Sequence, residues 1–255
     1  MSIKNNGESA WQQSKSVHKN HAIDQSFLKQ SLFHLLHLCD PTLPIGGFSH
    51  SASLETYVQK GLVHDRASAK TFVHEMLSQS ILYNDALFLS LAFDACSNND
   101  WEEIKELDAY CHATKIPKEM RMASQKLGIR LFKIFRACSQ YQLLDQLSLA
   151  IENKEINGHY AIIFGIVSSM LRIDKQSTLT GFYFNAATGF VTNSVKLIPL
   201  GQLDGQKILF ESATLIESLV EQSMSPNRDL MGLCSVGFDI RSMQHENLYS
   251  RLYMS

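Results

Sequence analysis

From Phe27 onward, apolar residues recur three and four positions apart, and this spacing limits the possible folds more than any other feature of the chain. Leu28, Leu32, Leu35 and Leu36 make one stripe; Phe72, Val73, Met76, Leu77 and Ile81 a second; Leu87, Phe88, Leu91, Ala92 and Ala95 a third. A repeat near 3.6 residues puts each set on one helix face, to be buried against other helices. The breaks between stripes carry matching chemistry. Gly61 can close a helix in the left-handed conformation, and Asp65 and Asp100 can accept from the free amides of the helices that follow. Glu102 and Glu103 suit the positive end of a helix, whose buried face continues through Ile104, Leu107 and Cys111. Pro117 suits a first turn before Met120, Leu127, Leu131, Ile134 and Cys138. A last stripe runs through Ile208, Leu209, Ile216, Leu219 and Val220 and stops before Ser225-Pro226.

Two stretches are less decided. Gly158 to Ile173 is apolar on all sides, and Thr178 to Val195 is rich in Thr, Phe and Val, which favours strand on propensity alone. No linker or repeat divides the chain, so a single domain is expected.

The 23 basic and 25 acidic residues leave a formal charge of -2, which gives no bulk attraction to nucleic acid or an anionic membrane. Five scattered cysteines, none in a C-x-x-C pair, fit neither a disulfide framework nor a zinc ribbon, and reduced, mostly buried thiols are expected. Residues 1–25 are too polar to offset their ordering entropy and are expected to form a disordered arm. With no signal-like or membrane-spanning run, a soluble cytoplasmic protein is expected.

The sharpest local feature is Asp40-Pro41-Thr42-Leu43-Pro44-Ile45-Gly46-Gly47-Phe48-Ser49. Its two prolines and two glycines predict a rigid turn between helices, with Ser49 placed to cap the second. No lysine follows at phosphate-loop spacing, which excludes that nucleotide site. His34, His37 and Cys39 have metal-donor chemistry, but only two of the three can share a helix face, and His245-Glu246 is far short of four ligands; no metal site is assigned. There is no G-x-S-x-G and no context for an activated cysteine, so no catalytic residue is assigned either. The last residues, 244–255, combine Tyr249, Arg251, Leu252 and Tyr253, a composition typical of interface hot spots.

Four segments together resemble the urease accessory protein F family. The run Leu43-Pro44-Ile45-Gly46-Gly47-Phe48-Ser49-His50-Ser51-Ala52-Ser53-Leu54-Glu55-Thr56 is similar to that family's N-terminal signature. Glu119-Met120-Arg121, Ser124 and Gly128 resemble its mid-chain pattern. Asn193-Ser194-Val195-Lys196 and Ile198-Pro199-Leu200-Gly201-Gln202, with Gly205-Gln206, resemble its late signature, and the residues from His245 to Ser255 resemble its C-terminus. Ser53 stands where the family usually has glycine, a change expected to be acceptable within a helix.

The resemblance implies an all-α fold, a single-domain compact bundle of about ten helices over 26–243, with helix rather than strand over 178–195. It implies a non-catalytic role without a cofactor in urease maturation. The chain would bind urease accessory protein D (H in some organisms), recruit the GTPase urease accessory protein G, and so serve nickel delivery to apo-urease. It also implies a homodimer, with the apolar helices between Gly158 and Val195 as the expected self-contact. The residues expected to dock a partner are His245, Glu246, Tyr249, Arg251, Leu252 and Tyr253, in a tail over 244–255 that orders on contact. Pro44, Gly46, Gly47, Phe48, Ser49 and Glu55 are expected to form a structural or docking turn. The alternative role is regulation of the GTPase, with Arg121 or Arg251 reaching its phosphate site.

Overall fold

The computed structural model describes residues 30–47, 50–139, 141–249 and 251–253. The arm expected over 1–25, and Phe48 and Ser49 of the turn, lie outside them. Among the described residues the chain is helical, with no strand. Helix α1 covers 30–38. It is followed by α2 (Leu54–Gln59), α3 (Arg66–Glu75), a π-helical stretch (Met76–Ala86), α4 (Leu87–Ser97), α5 (Trp101–Thr114) and α6 (Lys118–Cys138). The second half holds α7 (Gln142–Glu152), α8 (Tyr160–Met170), α9 (Lys175–Leu197), α10 (Gln202–Glu211), α11 (Ala213–Met224), a short 3-10 turn (Arg228–Leu230) and α12 (Val236–His245).

The boundaries follow the sequence. Asp65 accepts from the Ser68 amide at 2.8 Å while the Ser68 hydroxyl accepts from the Asp65 amide at 3.0 Å, a reciprocal cap at the start of α3. Asp100 accepts from the Glu103 amide at 3.1 Å and starts α5. Gly61, at φ 68°, takes the left-handed conformation just past α2. Between α3 and α4 the chain never leaves the helical path, but the π-helical stretch widens it, and at its end the Leu87 amide reaches five residues back, to the Leu82 carbonyl, instead of four.

Residues 161–168 of α8 are all buried, and α8 packs chiefly on α4 and α6. Its approach to α4 is close: a Cβ on Gly165 would lie 2.6 Å from the Leu89 carbonyl oxygen. An interior helix cannot also face a second copy of the chain, so α8 is removed from the expected self-contact. The stretch over 178–195 is helical, as the resemblance implies. Its buried residues Leu179, Phe182, Tyr183, Ala187, Phe190, Val191 and Ser194 keep helical spacing against α10 and α11, and this packing outweighs the strand propensity of its Thr, Phe and Val residues. Of the cysteines, Cys96 and Cys111 are buried, Cys39 is half-buried, and Cys138 and Cys234 are exposed. Burial pushes the Cys39 thiol up to about 12, which keeps it protonated and unreactive.

Candidate functional site

The turn after α1 is braced from within and from α6. Asp40 accepts from the Thr42 amide at 2.7 Å and its hydroxyl at 2.8 Å, and these bonds hold its carboxyl below the usual range. Arg130 of α6 donates to the Ile45 carbonyl at 3.0 Å, and its guanidinium occupies the space a side chain at residue 46 would need. Gly46 is at φ 84°, a left-handed conformation that favours glycine, and a side chain there would also displace the Arg130 guanidinium. Gly47 has neither constraint among the described residues, which splits the pair that the sequence treats alike. Farther on, Asn193 of α9 donates to the His50 carbonyl at 2.8 Å.

Ser53 is not an interior helix residue. It precedes α2 at φ 63°, beside Ala52 at φ 49°, in the left-handed region that glycine enters freely. The expectation that serine is placed in a helix here is corrected. Its hydroxyl donates to Ser242 at 2.7 Å, a buried bond that glycine could not make.

That bond begins a clasp between α2, α6 and the C-terminal segment. Glu55, 4% exposed, accepts from the Leu252 amide at 2.7 Å and the Tyr253 amide at 3.2 Å. Buried His245 lies between two carboxylates, with Nε2 3.0 Å from Glu55 and Nδ1 3.0 Å from Glu119. Arg251 donates to the other Glu119 oxygen at 2.5 Å. Tyr253 is buried, whereas Tyr249 is fully exposed and Leu252 is 83% exposed. The tail is therefore held to the body at His245, Arg251 and the main chain of Leu252 and Tyr253, in contrast to a segment that orders only on contact. Glu246 points outward.

A second polar joint lies deeper, at residues that sequence reasoning does not single out. Asp108 of α5 is fully buried and accepts from the amides of Asn157, Gly158 and His159, at 2.5, 3.1 and 3.1 Å, and from the Asn157 side chain at 3.0 Å. These donors lie at the start of α8, where the helix dipole favours a negative charge. His159 Nδ1 lies 3.1 Å from the Ser124 hydroxyl, and Nε2 lies 3.2 Å from His112 Nδ1. Burial, with Lys115 nearby, pushes His159 down to about 3, so the ring is neutral. Gly128 allows this meeting of α6 and α8, since a Cβ there would come within 2.8 Å of the His159 carbonyl carbon. The one signal for Asp108 in the sequence is its position on the buried face of α5, between Leu107 and Cys111.

The four motifs thus have distinct tasks, several of them along the first half of α6. Glu119 holds the tail, Arg121 donates to the Lys115 carbonyl at 2.8 Å, Ser124 and Gly128 seat α8, and Asn193 ties α9 to the turn. His37 packs against Phe135 with the rings tilted and their centroids 5.4 Å apart, which gives it a packing role. Among the described residues no group of three or more His, Cys, Asp or Glu gathers as a metal site. Nor is any helix among them long and apolar enough to cross a membrane.

Such an arrangement defines an all-helical protein whose polar joints hold surface segments in place. The sequence profile of the UreF family matches residues 63–213. The chain is 51% identical over 221 residues to a urease accessory protein UreF of Actinobacillus pleuropneumoniae, covering 87% of this chain and 97% of that one. It is 47% identical to the Haemophilus influenzae protein of that name, over 87% of this chain and 94% of the other, and 35% identical to that of Bacillus sp. strain TB-90, over 88% and 99%. The chain belongs to the UreF family of urease accessory proteins.

Proposed function

We propose that the chain is a non-catalytic, cytoplasmic adaptor in urease maturation, which binds urease accessory protein D/H and the GTPase urease accessory protein G as nickel is delivered to apo-urease. The observation that carries the docking role is the tail: its main chain is fixed by buried Glu55 while Tyr249 and Leu252 remain exposed. Anchors already ordered lose less entropy on binding. Tyr249→Ala with Leu252→Ala should leave melting and helical content unchanged and weaken capture of accessory protein D; full capture by this variant would refute the tail's docking role. A homodimer is part of the proposal, with the exposed Leu32, Phe33 and Leu36 of α1 as its apolar face in place of α8. Sedimentation of Phe33→Arg tests it, a monomer being expected. The GTPase-regulating alternative has less support, because Arg121 and Arg251 are both engaged within the chain.

A further inference from the structure

The outer edge of α6 is a ridge of cations. Lys118, Met122, Lys126, Arg130 and Lys133 follow one another at four, four, four and three residues, the repeat of a single helix face, and all are exposed. The ridge is about 22 Å long. Its helix has one acidic residue, Glu119, which is turned to His245 and Arg251 instead. Several cations elsewhere sit beside carboxylates, as Lys70 does with Glu211, Lys115 with Asp85 and Lys175 with Asp94. Among the described residues no ion pair includes any of the four ridge cations. Like charges four apart on a helix destabilise it, a cost that mixed signs would avoid. The field of the ridge reaches the turn: burial together with Lys126 and Arg130 holds the His50 ring below its ordinary value. The ridge is also continuous with the two segments already described, through Arg130 at the Ile45 carbonyl and through Glu119, next to Lys118, at Arg251.

We infer that this ridge docks an acidic helix of a protein partner. The spacing of Lys126, Arg130 and Lys133 matches carboxylates at i, i+4 and i+7 of a helix laid alongside, and exposed Met122 offers an apolar contact within the same line. The inference rests on the adaptor reading for the existence of a protein partner, though not for which partner it is.

The test uses the full chain and a labelled synthetic helical peptide with glutamates at i, i+4 and i+7, beside a version with glutamines there. Fluorescence anisotropy at low salt should show binding of the glutamate peptide alone. Lys126→Glu with Lys133→Glu should weaken it on the order of tenfold or more, and added salt should weaken it too. Arg130 is left intact because it braces the turn. Circular dichroism checks the fold, and Lys126→Gln with Lys133→Gln replaces the reversal if the reversed chain does not fold. Equal binding of both peptides, no binding, no effect of the substitutions, or tighter binding of a single-stranded oligonucleotide would overturn the inference. Capture of accessory protein D, measured alongside with the Tyr249 and Leu252 variant, reports on the adaptor reading separately.

Discussion

The joint around Asp108 and the clasp around Glu55 use the same device, a buried carboxylate that accepts main-chain amides, for opposite ends. Asp108 joins the buried face of α5 to the start of interior α8 and is fully buried, with a neutral histidine beside it. Glu55 holds a segment whose next side chains stand in solvent. The first makes the fold, and the second presents a surface. Disturbing the first should therefore cost the whole fold more, whereas disturbing the second should release the tail first.

The largest effect is expected from Gly128→Val, which drives a side chain into the backbone at Gly158 and His159. Chemical denaturation should show a loss of at least about 3 kcal/mol. Glu55→Gln should cost about 2 kcal/mol, because a charged acceptor of two amides becomes a neutral one. Hydrogen exchange should then show faster exchange in the last residues than in α8; equal loss of protection in both would erase the distinction between the joints.

The pH dependence sharpens it further. His159 is depressed in the folded chain to about 3 from an ordinary value of 6.5, so its contribution is present above 6.5 and is lost as pH falls through that window toward 3. His159→Gln should flatten this acid slope, measured as denaturation midpoint against pH. The smallest effect is expected for Ser53→Gly. Relief of a left-handed serine, worth about 1 kcal/mol, is opposed by loss of the bond to Ser242, worth about the same. A thermal melt should move little in either direction.

Helix positions and caps were legible because they depend on neighbours a few residues away. Asp65, Asp100 and Gly61 do locally what their residue types allow. The exception was α9, whose composition favours strand and whose helix was implied by the resemblance alone. The partners of Glu55 could not be read the same way: His245 and Tyr253 lie nearly two hundred positions along the chain, and only the packing of α12 on α2 brings them together. The resemblance named both ends of that clasp without showing that they touch. Gly46 and Gly47 were indistinguishable in sequence, since the guanidinium that separates them comes from α6.

The π-helical stretch from Met76 to Ala86 gives the chain some tolerance of its own length at that point, because its wide turns hold more residues than α-helical ones. Each residue added to or removed from a helix turns everything beyond it by about 100°. A one-residue deletion there is taken up by tightening one wide turn, which keeps the buried face of α4, with Phe88 and Leu89, on α8, whereas an insertion or deletion with no wide turn to absorb it would swing that face away. Substitutions in this stretch are thus judged by side chain, but insertions and deletions by phase.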